Sequence, residues 1–481
     1  MTASIMSTPH AGQPAWAKAV LPPGVEFPPT ELSVLSGSIP AGIRGSLYRN
    51  GPARLQRGKR RVGHWFDGDG AVLGVRFTSE KAIGTYRFVQ TAGHRHEEQA
   101  GTLLYGGYGM IPPGSWWNRF RYPVKNAANT SVLGLPDKVL ALWEGGHPHA
   151  LDPQTLETRG TVDLDGLAAE APFSAHPKRD RQTGEIYNFG VIFGRKPSLK
   201  IYRCNVMGKI VKQNTIPLSG MSLIHDFVLA GRYLVFCIPP VRLKVWPVLL
   251  KFMTFSQAMT WQPALGTEIL VVDRETLQET CRLQAEPWYQ WHFGNGCEDE
   301  AGNIVLDMVR YEDFQSNRYL QEVATGHPKT KARGNLWQLC LSVPKGKVME
   351  LTPLYDRTCE FPSVVPSQVG QPWRFTYLSV LRNETDLGKE LVGGAIARVD
   401  HREGKSVTVA LPAGCYASEP ICIRDRDRPE QTWLLLVVYR SNTHSSELWI
   451  LDAHRFDGDP VCRLQLPQVI PMGFHGTWQP D

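Results

Sequence analysis

The chain has 481 residues, of which 42% are hydrophobic, 10% aromatic and 20% charged, a mix that buries a large core and excludes a disordered chain. Its formal net charge of +6 is scattered, with no basic run interleaved with aromatics, which excludes a nucleic-acid footprint and suits mild attraction to anionic lipid headgroups. Nine cysteines, odd in number and without a CxxC pair, exclude a disulfide framework and a thiolate zinc site.

Residues 1–35 read as an N-terminal extension, partly flexible, ahead of a single domain over 36–481. The N-terminus has no charged region followed by an apolar one, so no secretory signal is expected and a cytoplasmic location follows. Along the domain, 45 Gly and 36 Pro punctuate short runs of Val, Ile, Leu, Tyr and Trp, the strand-and-turn pattern of an all-β protein. "FDGDGAV" from Phe66 resembles the start of a calcium loop but lacks the later ligands, and reads as an Asp-Gly hairpin turn. "LDPQTLET" (Leu151 to Thr158) returns as "VDRETLQET" (Val272 to Thr280). An apolar run, a glycine turn and a second run recur around Gly208, Gly346, Gly404 and Gly458. This spacing suggests a unit of roughly 55–70 residues, and seven units would fill a β-propeller; an irregular pair of β-sandwiches is the alternative.

No stretch of about 18 uncharged apolar residues is present, so nothing is expected to span a membrane. The nearest approach is Val245 to Trp261, interrupted by Lys251. Trp246, Leu249, Leu250, Phe252 and Phe255, beside Lys244 and Lys251 and together with Trp116 and Trp117, suit an apolar patch rimmed by positive charge that dips into one leaflet. Packing of both stretches inside the protein is the alternative.

Among the histidines, His94, His96, His327, His401 and His454 sit among charges and turn formers and read as surface residues. His176 in "FSAHPKRD", His225 in "LIHDFVLA", His292 in "WHFGNGCED" and His475 in "GFHGTW" lie in apolar or small-residue settings, where a neutral imidazole needs a partner. Taken singly, each suits a hydrogen-bonded core histidine. As a set they lie 49, 67 and 183 residues apart, near multiples of the repeat, and a propeller brings equivalent positions to one axis. Neutral imidazoles suit Fe, Zn, Cu or Ni, and four nitrogens around six-coordinate Fe(II) leave room for O2 and water or substrate. An all-imidazole shell calls for carboxylates that accept each ring's other N–H, and Glu144, Glu360 and Glu419 are isolated carboxylates in suitable company.

These motifs, from "GSIPAGIRGSLYRNGP" through "HWFDGDGAV", "KNAANTSV", "LALWEGGHPHAL", "SAHPKRD", "IHDF", the His292 motif, "CEFP", "SEPI" and "SSELWILDA" to "GFHGTW", resemble the carotenoid cleavage oxygenases. The resemblance implies a seven-bladed propeller under a dome of loops and short helices, with one non-haem Fe(II) on its axis and O2 as co-substrate. It implies that His176, His225, His292 and His475 bind the iron and that Glu144, Glu360 and Glu419 hold those rings. It also implies Thr130 near an open coordination position and Trp143 lining a substrate tunnel, where Phe293 replaces a histidine or aliphatic residue and reshapes the wall. The implied reaction is oxidative cleavage of a conjugated C=C bond of an apocarotenoid or carotenoid, first of all the central 15,15' bond of an apocarotenal to give retinal. Off-centre 9,10 cleavage, an isomerohydrolase and a non-catalytic propeller are the alternatives. An apolar polyene and a membrane surface are the expected partners; no obligate protein partner is inferred.

Overall fold

The computed structural model describes residues 13–78 and 80–481, and residues 1–12, the start of the expected extension, lie outside it. The short apolar runs of the sequence become strands, and each group of successive runs folds back on itself as an antiparallel meander. Burial grades outward across each meander. Tyr233–Ile238 is buried at every position, whereas Glu279–Ala285 and Lys347–Tyr355 are largely exposed or half-buried. A strand packed on both faces must be apolar throughout, and an outermost strand need not be. The sheets therefore stand around a common centre as the blades of an all-β propeller.

Among the described residues the larger sheets number six, with four to eight strands each, where seven separate blades were expected. The reason is one parallel bridge, Ala230 to Gly296, which joins two antiparallel four-stranded halves into a single eight-stranded sheet. Gly296 permits that approach, since a Cβ there would meet Ala230 and Val228 at 3.0 Å.

The repeats occupy equivalent places. Gly208, Gly346 and Gly404, all with positive φ, turn the outermost hairpin of three different meanders, and Gly458 lies in the corresponding connection of a fourth. Asp152 and Asp273 each accept two backbone N–H groups within the following turn, and Leu156 and Leu277 then take φ of 57° and 60°. The carboxylate stabilises a tight turn that the leucine anchors in the core, where both are buried.

Two pairings close the ring. Gly476–Pro480 lies antiparallel on Gly45–Arg54, and Val34–Gly37 lies on Cys462–Gln465. Strand pairing also begins ahead of the boundary expected at 35/36: Phe27–Glu31 joins Ala82–Phe88, and Trp16 is completely buried in an apolar cluster with Leu55 and Tyr439. The propeller itself covers the apolar side chains of Phe27 and Trp16.

Two further expectations change. "FDGD" at Phe66 is not a hairpin turn: Trp65–Asp67 forms a 3-10 turn, and Asp69 starts the strand Asp69–Phe77 inside a buried ion network. There Asp69 meets Lys125 at 2.8 Å and Arg57 at 2.8 Å, Glu97 meets Lys125 at 2.9 Å, and His94, expected at the surface, is buried 3.3 Å from Asp69. Burial works against the charge of Asp69, yet the surrounding cations hold its carboxyl below the usual range. All nine cysteines are free, and Cys237 and Cys422 are buried.

Replacing Asp69 by Ala strands Lys125 and Arg57 without their shared anion, and a loss of about 3 kcal/mol in unfolding free energy is expected. Denaturant unfolding of the variant checks this, and a loss below about 0.5 kcal/mol would contradict the role of the network.

Candidate metal centre and its two cavities

His176, His225, His292 and His475 come from four parts of the ring and meet. One ring nitrogen of each lies within 4.8 Å of the others, and all four residues are buried. His292 belongs to the inner strand Tyr289–Glu298, and His475 immediately precedes the closing strand Gly476–Pro480. His176 and His225 lie in the connections leading to Lys178–Arg179 and Val228–Ala230.

Carboxylates orient the rings. The His292 Nδ1–H donates to Glu360 Oε2 at 2.6 Å, and the other oxygen of Glu360 accepts from the Tyr311 hydroxyl at 2.8 Å. The His475 Nδ1–H donates to Glu419 Oε1 at 2.9 Å, while Glu419 Oε2 accepts the Gly476 N–H at 2.7 Å. Glu144 Oε1 lies 3.3 Å from His225 Nδ1. That oxygen is enclosed and has no hydrogen-bond partner, although the side chain as a whole is 30% exposed. A carboxylate that accepts from Nδ1 assigns the proton there and leaves Nε2 with a lone pair.

His225 therefore has a carboxylate nearby without a hydrogen bond, and His176 also lacks one. Its Nδ1 lies 3.9 Å from Asp226 Oδ1, beyond hydrogen-bond reach, and Asp226 is instead engaged by Lys178 at 2.8 Å and by the Phe293 N–H at 3.0 Å. Asp226 directly follows His225, so an acid beside the site was visible in "IHDF".

The electrostatics suit a cation. Burial and the neighbouring imidazoles hold His176 and His225 well below the usual histidine range, and burial lowers His475 as well. Burial opposes a proton on His292 too, but the Glu360 carboxylate beside it keeps that ring above its ordinary value. Burial raises Glu144 well above the usual carboxylate range, and the Asp226 charge adds to this. His292 Nε2 is buried with no hydrogen-bond partner, and His176 Nε2 and His225 Nε2 stand 3.0 Å apart. Ring nitrogens gathered in a buried site, that of His292 without a partner, suit a metal ion that prefers imidazole, such as Fe, Zn, Cu or Ni.

Two cavities meet at the cluster, both touching His292, His475 and Phe361. One, of about 100 Å³, is mostly apolar and is lined by Thr130, Trp65, Phe66, Trp291, Leu320 and Phe474. Thr130 is buried, and its hydroxyl donates to Asn129 Oδ1 at 3.1 Å. The Asn129 side chain in turn donates to the Phe66 and Gly68 carbonyls at 2.8 and 2.7 Å. Phe361 takes φ of 55°, a strained value for an aromatic residue, and lies 5.4 Å from the His292 and His475 rings. The other cavity, of about 230 Å³, is bordered by His176 and by Lys178, Arg179 and Arg181.

Two expected tunnel residues lie elsewhere. Phe293 borders the larger cavity, as His292 also does, and packs with Val228, Leu306 and Met308. Trp143 lines a separate narrow space with Phe66 and Tyr108. Gly473 and Gly476 serve packing against Gly45–Arg54: a Cβ at Gly473 would lie 2.8 Å from the Asn50 carbonyl oxygen, and one at Gly476 would lie 2.8 Å from that of Tyr48.

The family model described as retinal pigment epithelial membrane protein (RPE65) matches residues 21–480. The chain belongs to this family. It is 33% identical over 459 residues to the apocarotenoid-15,15'-oxygenase of Synechocystis sp., covering 92% of each chain. It is 27% identical over 492 residues to the isoeugenol monooxygenase of Pseudomonas nitroreducens, covering 99% of this chain and 100% of that one. The solved structure of the cobalt-substituted Synechocystis apocarotenoid oxygenase superimposes with a TM-score of 0.88 at 30% identity, covering 97% of this chain and 98% of that one.

Two variants separate the ring nitrogens from their supports. His475→Ala is expected to lose essentially all bound metal, measured by elemental analysis after purification. Glu360→Gln keeps the hydrogen bond but not the charge, and should weaken metal affinity by about 10- to 100-fold. Unchanged affinity in both would contradict the assignment.

Proposed function

We propose that this protein is a non-haem Fe(II) oxygenase that cleaves a conjugated C=C bond of an apocarotenoid with O2, and that His176, His225, His292 and His475 hold the iron. The observation that carries this reading is the convergence of four imidazoles beside an apolar cavity in a chain that shares its family and nearly its full length with an apocarotenoid-15,15'-oxygenase. Bound there, Fe(II) would supply the activation of O2 that an alkene alone lacks. The balance is simple: one alkene and one O2 give two carbonyl compounds, so no external reductant and no nucleophilic side chain are needed.

The protein's own part is to hold, orient and exclude. Glu360, Glu419 and Glu144 fix the rings and offset the metal's charge. Thr130, anchored through Asn129 to the Phe66 and Gly68 carbonyls, is a fixed small polar group in an otherwise apolar space. Trp291, Phe361 and Phe474 give flat apolar walls on which a polyene can lie, and they keep water from the cluster. Position along that wall selects the bond, because hydrogen bonding cannot distinguish the similar double bonds of a polyene. The central 15,15' bond of an apocarotenal, giving retinal, is the first choice.

We read the ring as seven-bladed by taking the two halves of the eight-stranded sheet separately. The cover over the small cavity would be the dome, to which Gln315–Val323 and the segment around Leu391 contribute. Access from a membrane would come through an exposed apolar surface. Trp246, Leu249, Leu250 and Phe252 are exposed, as are Trp116, Trp117 and Phe120, and Arg119 donates to the Lys251 carbonyl at 3.2 Å, joining the two segments. Phe255 does not belong to this surface: it is half-buried against Tyr108 and Phe193. No helix among the described residues is long and apolar enough to cross a membrane, so a surface contact is the fitting mode.

A shorter conjugated alkene is the second reading, favoured by the similarity over nearly the whole chain to proteins named isoeugenol monooxygenase and resveratrol cleavage oxygenase.

Incubation of the iron-loaded enzyme with an apocarotenal under ¹⁸O2, with resveratrol and isoeugenol in parallel, should give a shortened, ¹⁸O-labelled aldehyde from the apocarotenal. Products only from the smaller substrates would replace the first reading with the second, and no product from any of them would sink both. Replacing Trp246, Leu249 and Phe252 by Ser should lower binding to anionic vesicles by about tenfold in a flotation assay. Undiminished binding would remove the membrane assignment.

A further inference from the structure

The larger cavity has a charge imbalance that the metal centre does not account for. Lys178, Arg179 and Arg181 line it. Lys178 is neutralised by Asp226 at 2.8 Å. Arg179 donates from Nη1 to Gln479 Oε1 at 3.1 Å and from Nη2 to the Gly134 carbonyl at 2.5 Å, and its enclosed Nε has no partner. Arg181 donates from Nη2 to the Trp478 carbonyl at 3.3 Å. Every one of these acceptors is neutral. Among the described residues no carboxylate oxygen stands within 4.0 Å of either guanidinium.

Some enclosed arginines of this fold are paired with carboxylates, as Arg57 is with Asp69 at 2.8 Å, Arg203 with Glu185 at 2.6 Å and Arg49 with Glu419 at 3.7 Å, whereas Arg382 and Arg398, like Arg179 and Arg181, donate to neutral acceptors, and of these four only Arg179 and Arg181 border the larger cavity. Burial lowers both Arg179 and Arg181, and Arg181 adds a like charge beside Arg179, whose value falls to about 10. Both stay charged at neutral pH, so a partly enclosed space of about 230 Å³ carries two cations with no protein counter-ion. Guanidinium pairs in such a setting recognise oxyanions, through charge and planar N–H donors together. The only other negative groups at the rim, Asp226 and Glu419, are already engaged by Lys178, His475 and Arg49.

We propose that this cavity is a binding site for a small oxyanion, phosphate or a carboxylate in kind, held by Arg179 and Arg181 on the side of the histidine cluster away from Thr130. The site stands on geometry independent of the cleaved substrate.

The test is calorimetric titration of the metal-loaded full chain with sodium phosphate and, separately, sodium acetate, at constant ionic strength against sodium chloride. One saturable site is expected for at least one of them, and the preferred probe tells inorganic from carboxylate ligands. Arg179→Gln with Arg181→Gln should weaken it by about tenfold or more with metal content unchanged, while Arg179→Lys with Arg181→Lys, which keeps the charge and loses the planar donors, should weaken it less than the glutamine pair does. Affinity unchanged in the glutamine variant would put the anion on the metal or on the surface and overturn the proposal, as would the absence of a saturable site for either probe. Should the variants fail to fold, crystals of the natural protein soaked in selenate decide: an anomalous peak between the two guanidiniums supports the site, and an empty cavity removes it.

Discussion

The pairing of Gly476–Pro480 with Gly45–Arg54 is the constraint on which the rest of this structure depends. It closes the ring, and it sets the position of His475, whose backbone carbonyl accepts from the Asn50 N–H at 2.9 Å just ahead of the pairing. Glu419 then bridges the two requirements, taking the ring proton of His475 on one oxygen and the first N–H of the closing strand on the other. Ring closure and completion of the cluster are therefore one event. A shift of this strand by one residue would turn the imidazole away and leave Glu419 buried beside Arg49 without its second partner.

Buried polarity is arranged in two different ways around this centre. The Asp69 network matches cations to anions and needs nothing further, which makes it a clamp between the first strands and the loop that carries Thr130. The histidine cluster is the opposite case, with lone pairs facing one another and protons drawn off to Glu360 and Glu419. Such an arrangement is costly by itself and becomes favourable with a cation present, so the cluster stores a preference for metal in the fold. The compensated network and the uncompensated cluster share the segment around Asn129 and Thr130, which connects the rigidity of one to the geometry of the other.

Much of this was legible in the sequence. The glycine spacing located the outermost hairpins, because a turn of positive φ recurs at the same place at Gly208, Gly346 and Gly404. The four histidines stood out because imidazole in apolar company needs a partner, and the three glutamates because isolated carboxylates there need a donor. What stayed illegible depends on direction and on long-range pairing. Phe293 follows His292 in sequence but borders only the larger of the two cavities. Trp143 precedes Glu144 yet lines a different space, because both lie in the turn that follows the strand Val139–Leu142. Arg179 and Arg181 look like ordinary surface cations in "PKRDRQ", and only the closing strand, about 300 residues away, encloses them with Gln479 and Trp478. The bridge between Ala230 and Gly296 likewise leaves no pattern in either run.

The most direct test of the account is X-ray absorption at the iron edge on the iron-loaded protein, because it reads the donor atoms around the metal without reference to substrate. Convergence of His176, His225, His292 and His475 predicts a first shell of nitrogen and oxygen only, with the multiple-scattering pattern of four imidazoles. A sulfur scatterer, or a shell with fewer than three imidazoles, would contradict it.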